Sequence, residues 1–154
     1  MCDIFKKMYV NTEDYYIYPL DTLYIHERIL QKVISNIDGF IVDLKLQPEL
    51  RMLDNRHYLQ LMEHNISTVM SYGKELQFRF VFVNSVYDRK ESIIKQLAEW
   101  NIQSIELIKC HNLAKNKYDK LSLPSKDYTP SEDLFISFAS LLTENGIGII
   151  PLSI

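Results

Sequence analysis

Short apolar runs alternate with longer amphipathic stretches along this chain. Five runs rich in β-branched or aromatic residues predict β-strands, and they span residues 15–20, 39–45, 76–83, 104–110 and 148–152. Apolar residues recur at helical spacing in the stretches 22–37, 57–72 and 91–101, and again after residue 129. Because helices separate the strands, parallel pairing with right-handed crossovers is expected. The pattern predicts an α/β sheet or part of a (β/α) barrel.

Two helix starts carry capping signals. For the last helix, Thr129 is predicted as the N-cap, Pro130 as the first helical residue and Glu132 as the partner in a capping box. Asp88 followed by Glu91 predicts the same arrangement at the start of the preceding helix.

Size and composition are those of an ordinary globular chain. It has 154 residues, of which 47% are hydrophobic and 24% charged. A chain of this length buries about two thirds of its surface, so we expect one α/β domain over residues 1–154. The formal net charge of -3 gives no overall basic field. Composition therefore argues against nucleic acid and anionic membranes as partners.

Cysteine usage points to a reducing compartment. Cys2 and Cys110 are far apart in the sequence and make neither a disulfide framework nor a four-thiolate metal site. No stretch is apolar over the length that a membrane span or a signal peptide requires. We therefore expect a soluble, cytoplasmic protein.

Polar residues stand at the ends of four consecutive predicted strands. In parallel α/β folds this end of the sheet carries the ligand face. The residues are Asp21 after the first strand, Asp43 and Lys45 at the end of the second, Asn84 and Ser85 after the third, and His111 after the fourth. Together they predict a polar rim. Alternation along the strand places Asp43 and Lys45 on the same side, opposite Leu44.

Each of these positions also has a plainer interpretation. Polar side chains commonly end strands because the chain leaves the core there. Asp43 and Lys45 are also typical of a surface ion pair, which contributes little to stability. The connection 111–129 is longer than most loops, which favours a functional or partner-contacting role over a merely solvated loop.

Common catalytic signatures are missing from the sequence. It has no glycine-rich phosphate loop, no nucleophile elbow and no His-Glu zinc helix. His26, His57 and His64 fall in predicted helices without the spacing of a zinc site, so we interpret them as solvent-facing or structural. Ordinary hydrolase or kinase chemistry therefore has no support.

Two C-terminal segments, IELIKCHNLAKNKYDKL (105–121) and PSEDLFISFASLLTENG (130–146), resemble the C-terminal part of radical S-adenosylmethionine activases, especially the pyruvate formate-lyase activating enzymes. That family has a Leu-Leu-Pro-Tyr-His strand, then Gly-Lys-x-Lys-Tyr or Trp, then a Pro-Pro-x-x-Glu helix start. The residues in step are Leu107, Ile108, His111, Lys115, Lys117, Tyr118, Pro130 and Glu132. Upstream, residues 21–45 are similar to the family's Asp-Thr-Asn-Gly, helix, Asp-Leu-Lys pattern. FRFVFVNSVYD (78–88) is similar to its Ile-Arg-x-x-Val-x-Pro-Gly-x-x-Asp strand.

The resemblance covers roughly residues 15–150 and implies both a fold and residue roles. The implied fold is a partial, incomplete (β/α) barrel of mostly parallel strands and crossover helices, truncated relative to the family's barrels, with residues 1–14 as an N-terminal extension. The implied monovalent-cation site is formed by Asp21, Thr22 and Asp43. The implied, vestigial cofactor-binding residues are Lys45 at the methionine carboxylate, His111 at the adenosine end, Asn65 in a substrate-side motif, and Arg79 in the Ile-Arg strand.

The chain departs from the family in what its chemistry needs. The CxxxCxxC motif and the Gly-Gly-Glu strand are absent, and two cysteines cannot hold the iron-sulfur cluster. Where the family has glycine or proline at its pocket, this chain has larger residues, which fill or reshape a space that glycine keeps open. They are Leu23 and Tyr24, Met62, Asn84 and Ser85, and Lys109 and Cys110.

The departures favour a pseudoenzyme. We expect no iron-sulfur cluster, no catalysis by the chain alone, and S-adenosylmethionine binding only if the pocket is open. The leading interpretation is a radical S-adenosylmethionine-like half-barrel that binds another protein as a regulator, an inhibitor or a toxin-immunity partner. A sheet edge exposed by missing strands would pair with that partner unless residues 1–10 shield it. The alternatives are one chain of a split activase that needs a cluster-bearing partner, a truncated remnant, and a pocket that binds a nucleoside or cation without chemistry.

Overall fold

The computed structural model describes residues 20–21, 23–46, 55–111, 119–122 and 127–151, and for residues 20, 21, 55 and 56 it describes the backbone alone. Several predicted features lie outside the described residues. They are Thr22, Cys2, most of the predicted strand 15–20, the N-terminal extension, and the middle of the connection 111–129.

Strands and helices alternate along the chain. The strands are β1 (Leu20–Asp21), β2 (Gly39–Asp43), β3 (Glu75–Phe82), β4 (Ser104–Lys109) and β5 (Gly148–Ile150), and the helices are α1 (Glu27–Val33), α2 (Asn55–Ser71), α3 (Lys90–Glu99) and α4 (Glu132–Glu144). The pairs β1–β2, β2–β3 and β4–β5 are parallel, and the sheet order follows the chain. The predicted α/β class is confirmed, and β2 to β5 lie where strands were predicted.

The chain forms two compact units, Met1–Arg79 and Phe80–Ile154, and the division falls within β3. A single domain over the whole chain stays a prediction. Among the described residues, no helix combines the length and the apolar character that crossing a membrane would need.

Three helices end in the same local structure. Gly73, Asn101 and Gly146 each have positive φ, at 65°, 54° and 79°. The amide after each of them donates back to a helix carbonyl, as Lys74 does to Val69 and Ile147 to Leu142. Glycine and asparagine tolerate this left-handed backbone better than other residues, so these positions stop the helices where the strands must begin.

The core of the first unit lies between α2 and the sheet. Tyr58, Met62, Ile66 and Val69 are buried along one face of α2, at the spacing of three and four residues that a helix requires. Phe40 and Val42 are buried on β2. One polar residue, Asn65, is fully buried within the same stripe of α2.

Aromatic rings dominate the core of the second unit. Phe82 of β3 stacks on Phe138 of α4 with ring centroids 4.8 Å apart. Phe135 and Phe82 are in an edge-to-face arrangement with ring centroids 5.9 Å apart. The ring centroids of Phe80 and Phe138 are 6.0 Å apart. These phenylalanines pack the helix against the sheet, and such pairs add about 0.5–1.5 kcal/mol each beyond the area they bury.

Both predicted capping signals are wrong. The N-cap of α4 is Ser131, whose side chain accepts from the Leu134 amide, and the helix begins at Glu132. The Thr129 amide instead donates to Asp127 Oδ1 at 2.9 Å, so Thr129 belongs to the preceding turn. Asp88 lies inside a 3-10 turn, Asn84–Arg89, and the residue before α3 makes no side-chain cap.

Candidate functional site

The end of β2 brings two of the predicted site residues together. Lys45 Nζ lies 3.8 Å from Asp43 Oδ2, and the two side chains are 32% and 28% exposed. Leu44 between them is buried on the other side. The predicted alternation is confirmed. The pair is a partly exposed ion pair of the kind that contributes about 0–1 kcal/mol.

Two tyrosines adjoin this pair. The Tyr58 hydroxyl accepts a hydrogen bond from the Lys45 backbone amide at 3.0 Å, although Tyr58 is only 4% exposed. Tyr24 stacks on Tyr58 with ring centroids 5.4 Å apart and planes 26° from parallel. Tyr58 therefore ties α2 to the chain leaving β2, and Tyr24 ties the segment after β1 to α2.

Asn65 holds the segment that follows β1. Its Nδ2 donates to the carbonyl oxygens of Leu23 at 2.7 Å and Ile25 at 2.9 Å. Leu23 has a φ of 51°, in the left-handed region that favours glycine, yet its side chain is fully buried. Burial and the Asn65 hydrogen bond together hold a backbone conformation that leucine rarely adopts.

The same asparagine carries an unsatisfied atom. Asn65 Oδ1 is buried and has no hydrogen-bond partner. Turning the amide over would place this oxygen against two carbonyl oxygens, so the orientation with Nδ2 toward Leu23 and Ile25 is the favourable one. An unpaired buried acceptor costs about 1–3 kcal/mol. The two carbonyl hydrogen bonds on Nδ2 offset that cost.

The strand register gives the positions of Arg79 and Asp21, two further predicted site residues of the first unit. Arg79 is the register partner of Asp43 across β2 and β3, its carbonyl accepts from the Leu44 amide at 2.8 Å, and it is partly buried. Asp21 is the last residue of β1, opposite Val42. Thr22, the third member of the predicted cation site, lies outside the described residues.

His111 lies in the second unit, two residues beyond the end of β4, and is exposed. The neighbouring Cys110 is anchored by its amide, which donates to the Phe82 carbonyl at 2.9 Å. Burial raises the pKa of the Cys110 thiol above its ordinary value, and the Asp127 carboxylate raises it further. Cys110 is therefore a weakly ionised thiol, the opposite of an activated nucleophile.

Asn84 forms two hydrogen bonds with the segment before α4. Its amide nitrogen donates to the Tyr128 carbonyl at 3.1 Å, and its Nδ2 donates to the Asp127 carbonyl at 3.3 Å. Lys109 at the end of β4 pairs with Glu132 in the first turn of α4. The polar residues after β3 and β4 thus hold neighbouring chain segments.

In the first unit, packed side chains occupy the positions at which the resemblance implies glycine or proline in the activases. Leu23 and Met62 are both fully buried, and Tyr24 stacks on Tyr58 as described. Sequence reasoning missed Tyr58, which carries no motif. Its position on the apolar face of α2, four residues before Met62, could have marked it as buried but not as a partner of Lys45.

The histidines outside the rim are solvent-facing, as predicted. His26, His57 and His64 are all exposed. His26 lies at the N-cap of α1 rather than inside the helix and accepts from the Arg28 amide. His64 lies 3.6 Å from Glu27. Within the described ranges, no three His, Cys, Asp or Glu residues group as metal ligands would.

Comparison with known proteins supplies no relative from which a role could be transferred. A scan of the sequence against models of protein families found no match. A search of curated proteins found no significant match. The resemblance to the radical activases therefore stays a prediction from sequence motifs.

Proposed function

We propose that this chain is a catalytically silent half-barrel, similar to radical S-adenosylmethionine activases, that works in the cytoplasm by binding another protein. The partner relationship is that of a regulator, an inhibitor or a toxin-immunity protein. The α/β architecture with parallel pairings is compatible with a partial barrel of this kind.

The observation that carries the proposal is that predicted site residues use their polar groups for contacts within the chain. Asn65 donates both of its amide hydrogens to backbone carbonyls. The backbone amide of Lys45 donates to the Tyr58 hydroxyl, and its ammonium group forms an ion pair with Asp43. A cofactor would have to break several of these contacts. Breaking an Asn65 or Tyr58 hydrogen bond leaves a buried group unsatisfied, at about 1–3 kcal/mol, whereas breaking the partly exposed Asp43–Lys45 pair costs little.

The residues present do not fit a bound S-adenosylmethionine well. Leu23 and Met62 are packed without exposed surface at positions where glycine would leave room. The 154 residues also contain two cysteines, one thiolate short of the trio that anchors a cluster in this family. We therefore assign no reaction step to the chain.

Protein binding is supported by one edge of the sheet. In the order of described strands, β5 has a strand neighbour on one side only, β4. Ile149 and Ile150 of β5 are 39% and 40% exposed. An apolar edge strand is a template for strand addition by another chain.

The test is recovery of a stoichiometric complex from a lysate of the source organism. The tagged wild-type chain should retain one protein at constant molar ratio through two orthogonal columns. Ile149→Lys should lose it, because a charge enters the apolar edge. Ile29→Lys, which alters an exposed isoleucine of the first unit (53% exposed), is the matched control and should retain it. Retention by Ile149→Lys would refute the assignment of β5 as the binding edge.

A split activase is the second candidate, favoured by the partial exposure of Asp43 and Lys45. Calorimetry with S-adenosylmethionine, with and without potassium, separates the two. Our proposal expects no heat of binding. Binding that Lys45→Ala abolishes would favour the split enzyme and count against a silent module.

A further inference from the structure

The described segment from Ile147 to Pro151 has the composition of an interior strand but lies at the edge of the sheet formed by the described strands. It is apolar without interruption, as is typical of strands covered on both faces. Ile149 pairs in register with Ile105, which is fully buried, yet Ile149 and Ile150 are each about two-fifths exposed. Successive side chains point to opposite faces, so both faces of β5 are incompletely covered among the described residues.

The backbone of β5 offers few groups on its outer side. The Gly148 amide points inward and donates to the Gln103 carbonyl at 2.8 Å. Alternation then turns the N–H and C=O of Ile149 outward, together with the Ile147 carbonyl. The next outward amide position is Pro151, which has no N–H. The Ile147 amide is already used by Leu142. Ile149 is therefore the one residue of this segment with both a donor and an acceptor outward.

Gly148 is not required by its own surroundings. Its φ lies outside the left-handed region, and an added Cβ would meet Ser104 Cβ at 3.5 Å and the Gln103 carbonyl at 3.6 Å, both ordinary contacts. Glycine within a strand is otherwise unfavourable and often marks a site where another backbone or side chain approaches closely. No described neighbour accounts for this glycine.

We propose that β5 pairs with the β5 of a second copy of this chain, antiparallel and about a two-fold axis at Ile149. The two Ile149 residues exchange both of their outward hydrogen bonds, which satisfies the outward donor of each copy. The same register places Gly148 opposite Ile150 of the other copy, in a close, non-hydrogen-bonded pair. The small residue faces the large one, and the segment carries no charge that would repel its copy. This inference goes beyond the proposed function, because it names a second copy of the chain, rather than another protein, as the occupant of the same edge.

Sedimentation velocity of the intact chain tests the pairing. Pairing through a strand of 3 residues is expected to give a small interface of the weak, transient class, with a dissociation constant on the order of 100 µM. Ile149→Lys should remain monomeric at every concentration, since two ammonium groups would meet at the axis. Ile149→Pro should weaken the dimer at least several-fold, because it removes the outward N–H that the two copies exchange. Ile29→Lys should dimerise like the wild type.

Cysteine cross-linking tests the register independently of affinity. Paired residues of this type have Cα atoms about 5.5 Å apart, within disulfide range. In a background of Cys2→Ser and Cys110→Ser, Ile149→Cys should form a disulfide-linked dimer under mild oxidation, and Ile29→Cys should not. Equal cross-linking of both would refute the pairing.

The outcomes separate this inference from the proposed function. A chain that stays monomeric up to about 1 mM, yet retains a different protein through β5, overturns self-pairing and leaves partner binding intact. A dimer insensitive to Ile149→Lys and Ile149→Pro overturns this interface. A dimer sensitive to both, in a chain that retains no other protein, supports self-pairing and removes the case for a regulator of another protein.

Discussion

The fully buried side-chain amide of Asn65 donates to the carbonyl oxygens of Leu23 and Ile25. These hydrogen bonds help to hold Leu23 in its left-handed backbone conformation. The resemblance to the activases marked Asn65 as a residue of interest, but sequence alone could not show that both amide hydrogens stay within the chain. These hydrogen bonds depend on the left-handed backbone conformation of Leu23, which cannot be predicted from the presence of a leucine. The cofactor-binding role implied for Asn65 stays a prediction, and the hydrogen bonds that its side chain makes could not be predicted from the sequence.

Replacing Asn65 with leucine should lower the free energy of unfolding by about 2–4 kcal/mol. The change keeps the size of the side chain but leaves the carbonyls of Leu23 and Ile25 unsatisfied, at about 1–3 kcal/mol each, while removing the orphan Oδ1. Urea unfolding would show a lower midpoint at unchanged slope. Asn36→Leu, at an exposed asparagine, is the control and should shift the midpoint little; an equal shift would contradict the role given to Asn65.

The Cys110 thiol should ionise at higher pH in the folded chain than in the unfolded chain. Burial is the larger cause of its raised pKa, and the Asp127 charge is the smaller. In a Cys2→Ser background, the pH midpoint of alkylation by iodoacetamide should fall on unfolding in urea, and fall in part with Asp127→Asn.

The sign of the linked stability follows from the direction of this shift. A thiol whose pKa is raised on folding contributes no pH dependence below its unfolded value. As pH rises through that value and on toward the folded one, the unfolded state loses its proton first, so stability falls. Alkylation midpoints that coincide in the folded and unfolded chains would refute the shift.

Among the secondary-structure elements, periodicity located the helices and strands but not the start of α4. Thr129, Pro130 and Glu132 fit one register, and Ser131 with Leu134 fits another two residues later. Local sequence does not choose between them. The choice is made by Asn84, which holds the carbonyls of residues 127 and 128 from the end of β3. A contact across more than forty residues cannot be read from a capping motif.

Two substitutions distinguish these registers. Ser131→Ala should destabilise the chain by about 1 kcal/mol, because the Leu134 amide loses its acceptor. Thr129→Val should be neutral or stabilising by up to about 1 kcal/mol, because the Thr129 hydroxyl is buried without a partner. Thermal unfolding of both variants decides the matter. The reverse order of effects would restore Thr129 as the cap.

At the scale of the whole molecule, the α/β class followed from alternating strand and helix patterns, since both are set by which positions must be buried. The arrangement of the rim did not follow. Polar residues at strand ends are equally consistent with ligand binding and with hydrogen bonds to neighbouring segments, and Asn84 makes hydrogen bonds of the second kind. Tyr58 was missed because its partner is a backbone amide.

Binding through β5 should be nearly independent of ionic strength. The segment from Ile147 to Pro151 has no charged residue, so screening has little to weaken there. Raising salt from about 50 mM to about 500 mM should change the dissociation constant of any β5 complex less than about threefold. Sedimentation or calorimetry at the two salt concentrations would measure it. A tenfold loss of affinity would show that charged surfaces elsewhere carry the contact.

Pro151 limits how far the β5 edge can be extended by strands from further copies of the chain. A naked apolar edge ordinarily invites open-ended stacking and, eventually, fibrils. Here a proline stands where the next donor would extend the ladder, and the proposed isologous pair would use the one outward donor–acceptor site of the segment from Ile147 to Pro151. Replacing Pro151 with a residue that has a backbone N–H would allow the ladder to continue. The chain's tendency to aggregate should then rise, although its folded core is unchanged.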